Sequence, residues 1–486
     1  MTIQVLVDEA CKEHIPFNYK VFTSPQELVE HAVEALWNNT RTLLVCRGAW
    51  RLWRQVKERA WRAGLNWLLV EAVDPLEAEI AGVDLEAVVE ARYRSLAESS
   101  VDRAVYRSNL RKPVDRRTLF SVGPLALLEY IDAPTVNLDV CRVARGCRNC
   151  VKACPRKALE GKPPHLDSAK CISCGYCVTV CPVSALEQPS SPKRGLWEQT
   201  LLYLRAGTPF IVFACRDSMA KLLEKLDASV RVGIVPVGSP IAVGLDILLA
   251  VWGLGAKPLL YCANLPKEVL QVYRDTVGED YRTVTGEHLE IVMSIRQLLK
   301  VLKTVSRLGE SGRVVEPVKD ARKAALQVLA TVGEKVFLNI PLIGLVSVDA
   351  DNCTLCGVCA TACPTGALSL EERGGLRKLV FRHENCTSCR ACVEVCPETT
   401  ITVNNVFSPE HFGKTVVVVE AEIVRCKVCG RPLEPKKMVE RVVERLRKFN
   451  LPETIVEEVY MCDECKLKAA LDALRRVGKG MMRRES

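Results

Sequence analysis

Residues 171–182 read CISCGYCVTVCP, with cysteines at Cys171, Cys174, Cys177 and Cys181 and a proline, Pro182, after the last. The same C-x2-C-x2-C-x3-C-P spacing recurs at Cys353, Cys356, Cys359 and Cys363-Pro364, and again at Cys386, Cys389, Cys392 and Cys396-Pro397. A fourth copy, Cys141, Cys147, Cys150 and Cys154-Pro155, keeps the last three cysteines and the proline but stretches the first gap to five residues. Thiolates are soft donors that match iron held in sulfide, and gaps this short wrap one backbone loop around one cubane. The runs therefore predict four [4Fe-4S] clusters, laid along the chain as two pairs.

The 486 residues carry 48% hydrophobic composition, enough for several cores, and a net charge of +9. All but four of the twenty-four cysteines fall into metal-ligand spacings, so the pattern is one of metal binding in a reducing, cytoplasmic setting rather than of a disulfide framework. Met1 to His14 lacks the basic-then-apolar order of a signal peptide, and Arg116-Arg117 lies too far inside the chain to serve as a twin-arginine signal. Val232 to Ala256 is long enough to span a membrane, but Asp246, Pro236 and Pro240 divide it, so strand, turn and helix is the better reading. No direct membrane span is expected, though the chain can sit beside a membrane subunit.

Working outward, each pair of runs is preceded by an α/β pattern. Ser24-Pro25 opens a helix to about Trp37, Thr42 to Cys46 is a strand followed by Arg47, and a strand near Trp67 to Val70 leads to Pro75 and another helix. Ser191-Pro192 opens the same order: a helix at Leu196 to Leu204, a strand at Pro209 to Cys215 followed by Arg216, a strand at Val230 to Val235, then Pro240 and a helix. Internal duplication is one explanation, matching Cys46 to Cys215 and Pro75 to Pro240 and bringing the two pairs of clusters into one path. The other is that two α/β modules share a common element order. The fold class expected is multidomain α/β plus ferredoxin-like α+β: an α/β module at 1–100, a connector at 101–135, a dicluster domain at 136–190, a second module at 191–300, a connector at 301–345, a second dicluster domain at 346–405 and a small zinc domain at 418–486.

Each pair of runs resembles the bacterial two-cluster ferredoxin family, over about Val136 to Leu186 and Val346 to Val403. In that family the proline-preceding cysteine crosses over to the other cluster. The resemblance implies Cys141, Cys147, Cys150 with Cys181 for cluster 1, and Cys171, Cys174, Cys177 with Cys154 for cluster 2. It likewise implies Cys353, Cys356, Cys359 with Cys396 for cluster 3, and Cys386, Cys389, Cys392 with Cys363 for cluster 4. Regular spacing would put a ligand at Ala144, so Cys141 must reach through the loop Arg142 to Gly146; the alternative is a [3Fe-4S] cluster 1 with Cys141 free.

Arg142, Arg145, Arg148, Lys152, Arg156, Lys157 and Lys162 crowd the first run, whereas Cys353 to Cys363 encloses no charge. Reduction adds negative charge to a cluster, so the first pair is expected at higher potential, and the cations would steer an acidic partner such as a ferredoxin. A solvated basic face without a redox role is the alternative.

Near the end, Cys426-x2-Cys429-Gly430 and Cys462-x2-Cys465, the second pair opening a helical pattern at Lys466 to Arg476, resemble a treble-clef or zinc-ribbon site. Four thiolates suit tetrahedral Zn2+ in a closed structural site, with a rubredoxin-like iron as the rival. Cys11, Cys46, Cys215 and Cys262 remain. The last three end apolar strands and read as small buried hydrophobes. Phe213-Ala214-Cys215, Val230-Arg231 and Gly255-Ala256 leading to Tyr261-Cys262 also resemble, faintly, the delta subunit of methyl-viologen-reducing hydrogenases, which connects to heterodisulfide reductase. That family's module holds a [2Fe-2S] cluster with more cysteines; here Val237 and Ser239 stand where another is expected, so the resemblance implies a docking scaffold.

Gly253-x-Gly255 lacks a third glycine and precedes a strand, so it is no dinucleotide fingerprint, and no P-loop, GxSxG or HExxH occurs. His383 is the one histidine near a cysteine run and reads as a hydrogen-bonding surface residue. Without a substrate-binding constellation, no catalytic residue is assigned. The reading is a polyferredoxin-type electron-transfer subunit of an anaerobic oxidoreductase complex, partnered by a catalytic subunit of hydrogenase, heterodisulfide reductase-like, aldehyde or formate oxidoreductase type. The alternative is a nucleic-acid-associated iron–sulfur and zinc protein using the net charge and the basic stretch Arg475 to Arg484. Paired clusters are not needed for that role, and 6% aromatic residues offer little base stacking, so no nucleic acid is expected.

Overall fold

The computed structural model describes residues 3–141, 147–226, 229–305 and 320–482. The loop Arg142 to Gly146 and most of the second expected connector therefore lie outside the described residues, as do the side chains of Arg475 to Arg484. The chain divides into two compact units, residues 1–144 with 148–342, and residues 343–486 with 145–147.

The first unit is built on two parallel four-stranded sheets. Strands Ile3–Asp8, Tyr19–Phe22, Arg41–Val45 and Val70–Val73 lie in the order second, first, third, fourth. Strands Phe210–Cys215, Val232–Val237, Lys257–Tyr261 and Glu290–Val292 repeat that order. Arg41–Val45, Phe210–Cys215 and Val232–Val237 are buried at every residue, as expected of parallel strands covered on both faces. The two sheets therefore share a topology, but the residue match expected from the sequence does not hold. Cys46 follows a third strand and Cys215 ends a first strand, so the counterpart of Cys46 is Cys262. Pro75 follows a fourth strand and Pro240 a second. The cause is the pair of strands Ile3–Asp8 and Tyr19–Phe22, which the sequence expectation lacks and which together shift the count by two.

Local signals set the helices. Ser24 accepts a hydrogen bond from the Glu27 amide at 3.2 Å and Pro25 supplies the first turn of Pro25–Trp37. Asp74 and Glu77 form a reciprocal cap on Pro75–Ala81. Helix Ala49–Ala63 buries Trp50, Trp53, Val56 and Ala60 along one face, and this face enters a single hydrophobic cluster with Phe210, Met219, Leu222 and Leu259 of the second module. The modules thus share a core. Helices Leu85–Glu98 and Lys193–Arg205 approach so closely that a Cβ on Gly195 would come 2.5 Å from Ser95 Oγ. Arg216, buried, closes the junction: its Nε and Nη2 donate to Glu71 Oε2 at 2.9 and 2.7 Å and Nη2 to the Ser190 carbonyl at 2.7 Å.

Val232 to Ala256 is strand, short turn and helix Leu245–Gly253, as read. No helix among the described residues is long and apolar enough to cross a membrane. The first expected connector is ordered, with Val105–Ser108 paired antiparallel to Leu128–Ile131.

The ferredoxin-type regions have matching frames. In the first, Thr135–Val136 pairs with Leu186–Glu187, Leu159–Glu160 pairs with His165–Leu166, and short helices lie at Asn149–Ala153 and Tyr176–Thr179. In the second, Leu345–Val348 pairs with Ile401–Asn404, with helices at Val358–Ala362 and Ala391–Glu394. Its central hairpin is longer, Leu368–Arg373 with Leu376–Arg382, and it continues into Thr415–Arg425 and Pro432–Pro435 as one antiparallel sheet. That sheet crosses the boundary expected between 405 and 418, so the second dicluster region and the C-terminal region are one folded body.

Candidate iron–sulfur and metal centres

One backbone device recurs in each regular run. The residues on either side of the second cysteine are left-handed: Ser173 and Gly175, Leu355 and Gly357, Ser388 and Arg390, with φ between 53° and 80°. Alternating hands turn successive amides inward, forming a concave nest for anionic sulfur. The third residue after the last cysteine is also left-handed in all four runs, at Lys157, Ser184, Gly366 and Thr399. That turn aims the next amide back at the thiol: Ala158 N lies 3.2 Å from Cys154 Sγ, and Ala185 N 3.2 Å from Cys181 Sγ. Of these positions only the glycines were conspicuous in the sequence; Leu355 and Arg390 carry no signal of a left-handed backbone.

The loops gather cysteines across runs. Cys171, Cys174 and Cys177 line one small cavity with Cys154 and Pro155. Cys353, Cys356 and Cys359 line another with Cys396 and Pro397. Cys386, Cys389 and Cys392 line a third with Cys363 and Pro364. For the remaining set, Cys150 and Cys181 pack in one cluster with Cys177 and Leu186. The route from Cys141 to Cys147 lies outside the described residues.

These thiols are poor as free groups, which is itself a test of fit. Burial and the crowding of Cys353, Cys356 and Cys396 push the Cys359 thiol up to about 12. Burial with Cys386, Cys389, Cys363 and Cys359 does the same to Cys392. Four sulfurs so placed repel one another as thiolates, and cationic iron removes that repulsion. At Cys396 burial is outweighed by the Thr400 hydroxyl, 3.5 Å from Sγ, and by nearby amides, which hold the thiol below its ordinary value. The donor set and its inward amides fit a [4Fe-4S] cluster.

Charges around the centres differ from the sequence reading. Arg148, Lys152, Arg156 and Lys157 are exposed, as a steering face requires, with Arg156 paired to Glu268 at 3.3 Å. Closer in stands Arg107, whose Nη1 donates to the Cys171 carbonyl at 3.3 Å. The run Cys353 to Cys363 encloses no charge, yet cations reach it from helix Lys436–Lys448. Lys437 Nζ donates to the Ala350 carbonyl at 2.6 Å, Arg441 to Asn352 Oδ1 at 3.3 Å, and Arg445 to Glu398 at 3.1 Å. No sequence signal linked residues so far apart; the long strand Thr415–Arg425 links them. His383 is not a surface residue: it is fully buried, accepts the Ser408 amide at Nε2 (2.9 Å) and donates from Nδ1 to the Gly344 carbonyl at 3.0 Å. Both ring nitrogens are engaged by backbone groups, and Gly344 in turn donates its amide to the Cys386 carbonyl at 3.2 Å.

Cys426, Cys429, Cys462 and Cys465 bring their sulfurs within 4.8 Å of one another. Cys429 and Cys462 are 3.6 Å apart, near the edge of about 3.8 Å that a tetrahedron with Zn–S of about 2.3 Å requires. The amides of Cys429 and Cys462 draw the Cys426 thiol well below the usual range. The group can hold a metal ion.

Cys46, Cys215 and Cys262 are buried as expected, but two of them are not free thiols: Cys215 and Cys262 form a disulfide. Ser239, standing where the hydrogenase resemblance would place a cysteine, donates its hydroxyl to the Cys174 carbonyl at 2.8 Å.

Two stretches of the chain, residues 141–185 and 352–400, match the family model of the 4Fe-4S dicluster domain. Comparison with curated proteins finds no match. The chain is therefore a mixed α/β protein with two ferredoxin-type dicluster domains.

Proposed function

We propose that this chain is an electron-transfer subunit of an anaerobic oxidoreductase complex, relaying single electrons between a catalytic subunit and a redox partner. Four [4Fe-4S] clusters would be held by the crossed sets named above, with Cys141, Cys147, Cys150 and Cys181 as the fourth. A [4Fe-4S] cluster takes up and returns one electron without bond rearrangement. The cysteines supply fixed ligation, the inward amides offset the charge added on reduction, and the apolar walls limit water. The observation that carries this reading is that three crossed sets each line a single cavity. Crossed ligation ties each pair of clusters to one small domain and keeps its members close enough for electron exchange.

The exposed cations beside the first run would receive an acidic partner such as a ferredoxin. The C-terminal cysteines would hold one structural Zn2+, fixing the base of helix Asp463–Met482. The cytoplasm is the compartment that suits this content of thiolate-bound iron. The test is anaerobic purification of the native complex. Recovery with a subunit containing molybdenum, tungsten, nickel–iron or flavin, whose turnover reduces or oxidises the clusters, is the expected result. Recovery with nucleic acid, and clusters that stay inert during turnover, would overturn it.

A further inference from the structure

Outside the cluster cavities, the first unit contains a larger cavity of about 570 Å3, open to solvent. Its wall includes Cys174, one of the cluster 2 ligands, and both halves of the Cys215–Cys262 disulfide. The disulfide spans adjacent parallel strands, Cys215 ending Phe210–Cys215 and Cys262 following Lys257–Tyr261. Cys215 is in register with Val237 on its other side. Two residues on, Ser239 hydrogen-bonds the Cys174 carbonyl, so a short run of backbone and one hydrogen bond joins the disulfide strand to the cluster loop. Ser218 completes the site. Its Oγ accepts from the Ala263 amide at 3.3 Å and stands 3.1 Å from Cys215 Sγ, leaving the hydroxyl proton to point at sulfur. Lys57, paired to Asp217 at 2.6 Å, brings a proton-bearing group to the same wall.

We propose that Cys215–Cys262 is a redox-active disulfide that collects electrons from the first dicluster domain, turning single-electron supply into a two-electron store. The inference rests on the electron-transfer reading above. In the step, the S–S bond breaks, and each sulfur gains one electron and one proton and ends as a thiol. The two electrons come singly, each oxidising a cluster from [4Fe-4S]+ to [4Fe-4S]2+, and the two protons enter from water in the cavity. Ser218 stabilises the developing charge on Cys215 sulfur. A disulfide placed only to staple two strands would need neither the cavity nor a cluster ligand in its wall.

The test is a mediated coulometric titration of the full-length, cluster-loaded chain under anaerobic conditions, followed by acid quench, thiol alkylation and peptide mass spectrometry. Wild type is expected to take up about two electrons per chain more than Cys215→Ser or Cys262→Ser of equal iron content. Alkylated Cys215 and Cys262 should appear in the loaded chain once its clusters are reduced and stay protected in the loaded chain held oxidised. Equal electron counts in wild type and variants, or no alkylation of Cys215 and Cys262 in the fully reduced loaded chain, would overturn the assignment while leaving the clusters as electron carriers. A loaded chain whose clusters take up no electrons would overturn the electron-transfer reading, and this inference with it.

Discussion

Gly175 and Gly357 hold the same place in their ligand loops, each left-handed after the second cysteine, yet their surroundings differ. A Cβ on Gly175 would meet Ala242 Cβ at 2.6 Å and Ala242 backbone atoms at 3.1 and 3.2 Å; one on Gly357 would meet only the tip of Leu370, at 2.5 Å. The first dicluster domain is pressed against the backbone of the second α/β module, and its exit at Ser190 and Ser191 is bonded to Arg216. The second lies against side chains of its own hairpin and takes its cations from the C-terminal helix. One ligand loop therefore serves two settings: rigid and set among the α/β modules in the first unit, adjustable and joined to a metal-binding tail in the second.

The strongest way to break that contrast is Arg216→Ala. Removing one partner of a buried ion pair costs about 3–5 kcal/mol, so denaturant unfolding of the first unit should shift by that much. Arg47, after the other strand-terminal cysteine, pairs with Glu79 in solvent at 2.6 Å, and Arg47→Ala should leave the midpoint nearly unchanged. Equal losses would erase the distinction between the two modules.

Next in size, Gly175→Ala should destabilise by about 3 kcal/mol, because Ala242 backbone cannot step aside, and Gly357→Ala by about 1–2 kcal/mol, mostly from the left-handed backbone. Thermal unfolding of iron-loaded variants measures the difference; a larger loss at Gly357 would reverse the argument. Arg390 occupies the same left-handed position in the third regular run, so Arg390→Gly should gain about 1 kcal/mol. A loss there would mean the arginine side chain contributes more than the strain costs.

The smallest effect sharpens the electrostatic side. Lys437→Ala removes a cation beside the Cys353 loop and should lower the potential of that centre by about 20–40 mV, the equivalent of about 0.5–1 kcal/mol for one electron. Potentiometric EPR gives the value. No shift would leave the Cys353 run as neutral in the fold as it is in the sequence.

The cysteine loops were legible because spacing in such a loop is local: each C-x2-C-x2-C fixes its own turn, and the ferredoxin resemblance pointed to the cysteines from the other run that line three of the cavities. The first-module helices were legible for the same reason, since Ser24-Pro25 and Asp74-Pro75 act within a few residues. What escaped was non-local. Ile3–Asp8 and Tyr19–Phe22 are short strands with no turn signal to frame them, and without them the two modules are misaligned by two strands. Lys437 meets Ala350 through a sheet that only pairing of Thr415–Arg425 with Leu376–Arg382 creates. The Cys215–Cys262 bond depends on two strands being neighbours, which spacing along the chain does not reveal.

The central claim is that each dicluster domain holds two [4Fe-4S] clusters on crossed cysteines. Metal analysis of the anaerobically purified chain tests it most directly: the account predicts about sixteen iron and one zinc per chain. A content near eight iron in fully loaded protein would leave one domain without its pair and contradict it.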